Sequence, residues 1–122
     1  MYDKELVLEI LAQIFHATQT VLKRFEPIKS PDDFTSSDSG MEKVDSIYMQ
    51  LIAIGEGIKN LDKVTSNTLL PQYPQIEWKK VKGMRDIISH HYFDLDAEAI
   101  YEVCKNRIDP LAHVLEKMIK EL

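Results

Sequence analysis

The side chains best suited to chemistry lie together in Met84-Arg85-Asp86-Ile87-Ile88-Ser89-His90-His91-Tyr92. Arginine grips phosphate oxygens with a planar fork of donors. Histidine exchanges a proton near neutral pH, and tyrosine adds a phenol. On an ideal helix Tyr92 returns to within about 20° of Arg85, two turns on, while His90 stands about 140° round. Asp86 precedes His90 by four residues, a spacing at which a carboxylate orients an imidazole or raises its pKa. Arg85, Asp86, His90 and Tyr92 are therefore parts that suit a phosphodiester. Each also has a plainer reading. An arginine and a histidine at this spacing occur by chance in many helices, and an aromatic residue at a helix end is by default core or interface.

Other chemistries lack their residues. The chain has no phosphate-binding glycine loop, no cysteine pair for zinc, no His-Glu-x-x-His and no serine-nucleophile elbow. Adjacent His90 and His91 would point roughly 100° apart on a helix, which suits one shared metal poorly. No metal site and no cofactor is expected. His16 and His113 fall within the first and last helical patterns, as packing or surface residues. Just before the arginine, Lys79, Lys80 and Lys82 share a short segment that holds no acid as far as Arg85. This is a solvated helix face in the bland reading and an RNA-binding funnel in the functional one.

The elements that must carry these residues are helical. Leu6/Val7, Ile10/Leu11, Ile14/Phe15, Val21/Leu22 and Phe25 recur every three to four positions, which predicts a helix over 3–25, with Asp3 as N-cap and Pro27 beyond its end. Residues 27–40 read as a loop, in which Pro31 can open one short turn. Ser39 and Glu42 match a capping box for a second long helix, running to about Val64. Gly55 and Gly57 inside it suggest a tight crossing. A third helix is predicted over about 76–92, and a fourth from about Ala97, capped by Asp94 or Asp96. The Asp109-Pro110 pair then implies a kink or a fresh start. No segment alternates with a strand's period, and the predicted fold is an all-α antiparallel bundle.

Bulk properties agree with one domain over residues 1–122. Hydrophobic residues make up 44% and charged residues 29%, and no apolar run approaches the roughly 20 residues that cross a bilayer. No secretory leader pattern is visible, and Cys104 is the lone cysteine, so a reduced, cytoplasmic setting is expected. The net charge of −5 argues against a broad nucleic-acid-coated face but leaves room for a local phosphate site.

The stretch from Trp78 to Asp96 resembles the characteristic segment of HepT-like proteins of the HEPN superfamily: an arginine, four residues, a histidine, one residue and a tyrosine, with a polar residue after the arginine. Arg85, Asp86, His90 and Tyr92 fill those places. Ala53-Ile54-Gly55-Glu56 ahead of Asn60-Leu61, and the break at Asp109-Pro110-Leu111, also resemble the family. The resemblance implies a four-helix bundle with a short extra helix, and a homodimer whose two Arg–His motifs face one cleft. It implies metal-independent RNA cleavage, with Arg85 on the scissile phosphate, His90 as general base or acid, and Asp86 orienting His90 or placing a water. It further implies the toxin half of a type VII toxin–antitoxin pair, silenced when an MntA-like nucleotidyltransferase antitoxin adds AMP to Tyr92. The alternative within the same resemblance is a non-catalytic HEPN module that binds such a partner.

Overall fold

A computed structural model describes residues 2–91 and 94–122, and the side chains of all of these except 90 and 91. Helix α1 spans Lys4–Phe25, and Asp3 caps it as expected, its carboxylate accepting from the Leu6 amide at 3.2 Å. Its inner stripe (Val7, Ile10, Leu11, Ile14, Ala17 and Val21) is buried. Burying such side chains supplies most of a helix's stability. One buried polar group on the stripe is satisfied internally, the Thr18 hydroxyl donating to the Phe15 carbonyl at 2.6 Å.

A four-residue turn, α2 (Asp32–Thr35), buries Phe34 fully beside Phe25. The long helix α3 (Asp38–Val64) then begins two residues earlier than the capping box implies. Ser37, not Ser39, is the cap. Its backbone is extended and its hydroxyl accepts from the Gly40 amide at 3.0 Å. The cause lies in the approach of α2: a side chain on Gly40 would strike the Asp33 carbonyl oxygen, so Gly40 must sit at the crossing.

Helices α1 and α3 run antiparallel. The Arg24 guanidinium donates to the Ser46 carbonyl near one end, and Gly57 lies against Ile14 further along, where an added Cβ would come within 2.7 Å of the Ile14 Cγ1. Gly55 serves the other neighbour, an added Cβ there lying 3.0 Å from the Val81 carbonyl oxygen. The two glycines thus do what their spacing suggests, each admitting a different partner at close range.

After a single 3-10 turn (Leu70–Gln72), the predicted third helix is broken. It consists of α4 (Trp78–Lys82) and α5 (Met84–Ile88), with Gly83 between them. The chain leaves the helix at Ser89, whose φ of −149° and ψ of 143° are extended. It continues as β1 (Ser89–His91), paired antiparallel with β2 (Asp94–Leu95). Glycine's poor helix propensity explains the interruption at Gly83. The pairing of the arm, sealed by the Asp96 amide on the Ile88 carbonyl at 2.9 Å, explains the stop. This ribbon is too short to show an alternating pattern.

Asp96 caps α6 (Ala97–Asn106) through the Ala99 amide at 3.0 Å. The predicted break near Pro110 falls at Arg107, and α7 covers Ile108–Glu121. Asp109 is therefore inside the first turn and not its cap. Pro110 stands where a missing N–H costs nothing. The result is an all-α bundle of α1, α3 and the α6–α7 pair, with α4 and α5 in the remaining position. No helix of the described residues is long and apolar enough to cross a membrane.

Burial raises the Cys104 thiol to about 12. Burial, followed by its hydrogen bond to Glu121, raises the Tyr73 phenol to about 12 as well. Above pH 9–10 the unfolded chain releases both protons while the native state keeps them, so stability falls as pH rises towards 12. Urea midpoints at pH 8 and pH 10.5 should therefore differ, the higher pH being the less stable. Part of the difference should vanish in Cys104→Ala.

Candidate functional site

Five-residue α5 packs chiefly against α3 and, less closely, against α6. Met84 and Ile88 are buried, Met84 lying where a Cβ on Gly55 would come within 3.2 Å of it. Arg85, Asp86 and Ile87 are left exposed. The guanidinium and the Asp86 carboxylate make no hydrogen bond or ion pair among the described residues. A free arginine fork beside a short helix's end can bind an anion without first breaking a native contact.

The backbone then carries His90 and His91 out on β1. This changes the geometry expected of the motif. Asp86 and His90 are not one turn apart on a continuous helix, because the helix ends at Ile88 between them. Nor does the helical angle between Arg85 and His90 apply. The His90 and His91 side chains and the whole of Tyr92, and with it the expected modification site, lie outside the described residues. The structure thus brings Arg85 and Asp86 onto one exposed helical face and places the His90 backbone on the arm that follows directly.

The three lysines ahead of the motif do not act alike. Lys79 is exposed. Lys80 pairs with Glu77 at 3.2 Å, both largely solvated. Lys82 reaches across to Asp62 on α3, its side chain 34% exposed and that of Asp62 13%. Lys82 is thus engaged in joining α4 to α3. The Asp62 partner is twenty residues away, and nothing in local spacing marks it. Glu56, between the two glycines, is exposed and pairs with Lys59 at 3.0 Å.

A groove of about 700 Å³ runs along the opposite flank of α4 and α5, where Val81, Met84 and Ile87 face Val103, Ile108 and Leu111. Arg85 and Asp86 do not line it. Its rim cation Arg107 is held by Glu102 at 3.2 Å and Glu77 at 3.5 Å. The groove is therefore a different surface from the one that presents Arg85 and Asp86. No cluster of three or more His, Cys, Asp or Glu side chains suited to a metal occurs among the described residues.

The model of the family described as "Ribonuclease HepT-like" matches residues 5–118. The chain belongs to the HepT-like ribonuclease family. This HepT-like protein is 32% identical over 77 residues to "Putative RNase MJ0127" of Methanocaldococcus jannaschii, a match covering 63% of the chain and 60% of that relative. It is 36% identical over 72 residues to "Putative RNase MJ0125" of the same organism, covering 59% of each. It is 31% identical over 75 residues to "Probable ribonuclease HepT" of Thermococcus cleftensis, covering 62% of the chain and 64% of the relative. In each case the HepT-like chain covers less than two thirds of the relative's length. No solved structure matches it.

Proposed function

We propose that this HepT-like protein is a metal-independent endoribonuclease, the toxin of a toxin–antitoxin pair, working as a homodimer in the cytoplasm. The observation that carries the reading is Arg85, exposed and without an ion-pair partner among the described residues, directly before the arm bearing His90. Arg85 holds the scissile phosphate and stabilises the charge that develops on it. His90 takes the proton of the ribose 2′-hydroxyl as its oxygen attacks phosphorus. The bond to the 5′-oxygen breaks, and a second imidazole, that of the other copy, returns a proton to the leaving oxygen. Asp86 orients the histidine. Lys79 adds positive charge at the approach, with Lys80 and Lys82 as weaker contributors because carboxylates already hold them.

Support for a second copy comes from α3, where Met49 is 64% exposed and Tyr48 and Ile52, within one turn of it, are half-buried. Pairing of two copies doubles the groups available to one cleft. The silencing reaction follows the same logic. The Tyr92 phenol oxygen attacks the α-phosphorus of ATP in an MntA-like nucleotidyltransferase, pyrophosphate leaves, and the resulting anionic ester competes with RNA for Arg85.

The test is the chemistry of the ends. RNA cut by the protein in EDTA should carry 2′,3′-cyclic phosphate on one fragment and 5′-hydroxyl on the other, and an RNA blocked at every 2′-hydroxyl should survive. Cleavage of the blocked RNA, or 5′-phosphate products, would rule out this mechanism. A folded protein that cuts no RNA would favour the non-catalytic module.

A further inference from the structure

Charge in this acidic protein is concentrated by sequence and gathered further by the fold. Residues 59–85 hold six basic side chains against two acidic ones, whereas the remainder holds nine basic against eighteen acidic. The Lys82–Asp62 ion pair clamps α4 to the last turns of α3. Around that clamp, helical register sets Lys59 one turn before Asp62, Lys63 directly after it, and Lys79 one turn before Lys82. Lys63 and Lys79 are exposed, and neither has an ion-pair partner among the described residues. Residues 64–76, which join the two helices, contain no charged side chain at all. Their tip presents exposed Ser66, Asn67 and Thr68, with Ser66 and Asn67 held at positive φ (52° and 61°) as the turn closes α3. The Asn67 amide fixes this shape by donating to the Asp62 carbonyl at 2.8 Å.

We infer that Lys63, Lys79 and the Ser66–Thr68 tip form a track that binds single-stranded RNA on one side of the cut. The inference rests on the ribonuclease reading and adds to it where the substrate lies. Two unpaired cations meet successive phosphates, and a neutral polar tip accepts unstacked bases by hydrogen bonding. The Asp62–Lys82 pair keeps the two lysine-bearing helices in register, so the track is rigid, and at one end it leads along α4 to α5 and Arg85. An otherwise negative surface repels the strand elsewhere, which favours this one path.

The probe is a short single-stranded RNA methylated at every 2′-oxygen, which can bind but not be cut, followed by fluorescence anisotropy against salt. Lys63→Glu/Lys79→Glu should weaken binding at least about tenfold near 0.1 M salt and lower the slope of log K on log[salt] by about 1.4, two phosphate contacts at about 0.7 each. The comparison variant is Lys23→Glu/Lys120→Glu, with the same charge change, both lysines in last helical turns as Lys63 is. It should lose much less affinity and keep the wild-type slope. Equal losses in the two variants would overturn the track. Wild-type protein that neither binds this RNA nor cuts the unmethylated one would overturn the ribonuclease reading with it. Cleavage that persists with equal losses would overturn the track alone. An unchanged melting temperature in both variants keeps the comparison valid.

Discussion

Arg85→Ala should slow RNA cleavage by about 10²–10³-fold, the loss typical when a group that stabilises transition-state charge is removed, and leave thermal stability nearly unchanged. The second half follows from the structure. Arg85 is exposed and makes no hydrogen bond or ion pair among the described residues, and substitutions at such positions usually cost within about 0.5 kcal/mol. Arg85→Lys keeps the charge but loses the planar fork, so it should recover only a small part of the rate. A conservative substitution that kills activity without moving the melting temperature identifies a group that works on the substrate. Should Arg85→Lys retain full activity, the contact would be that of a point charge. Should Arg85→Ala unfold the protein, the exposed and unpartnered placement would be wrong.

The largest stability effect is expected at Gly40. Alanine there would set a methyl group against the Asp33 carbonyl oxygen, a backbone atom that cannot swing aside as a flexible side chain would. Relief requires lifting α2 from α3, which loosens Phe34, a side chain with no exposed surface. Overpacking of this kind costs about 1–3 kcal/mol. Alanine returns up to about 1 kcal/mol through its better helix propensity. Because the obstruction is backbone, the gross cost should lie near the upper end, which leaves a net loss of about 2 kcal/mol and a fall in melting temperature on the order of 10 °C. Gly83→Ala supplies the contrast. The nearest atom to its added Cβ is the Lys79 carbonyl oxygen at 3.4 Å, an ordinary contact. That variant should be neutral or slightly stabilised. Equal melting temperatures for the two would contradict the packing described for α2 on α3.

Legibility in the sequence followed the range of the interactions. Helix α1 shows itself through a long apolar stripe and a cap three residues away, both local signals. The all-α bundle, the break before Pro110 and the close approach at Gly55 and Gly57 were readable for the same reason. Local spacing puts the start of α3 two residues late, because the contact that decides it, Gly40 beneath Asp33, belongs to tertiary packing. Periodicity alone carries the third helix past Ile88, since a strand of three residues paired with two leaves too few positions to show a period. At the site, residue types and spacing point to Arg85, while its exposure and its lack of a partner among the described residues require the fold. The lysines show the limit most clearly. Lys79, Lys80 and Lys82 look equivalent along the chain, yet Asp62, far away in sequence, separates Lys82 from Lys79.

The proposed activity is RNA cleavage without a metal, through the Arg85–His90 motif. The most direct test is single-turnover cleavage of RNA in EDTA by wild-type protein beside His90→Ala, each shown to be folded by its melting curve. Wild type should cleave, and the variant should lose at least about 10²-fold, as expected for removal of a general acid–base group. Cleavage at equal rates by the two proteins, or cleavage that appears only when a divalent metal is restored, would contradict it.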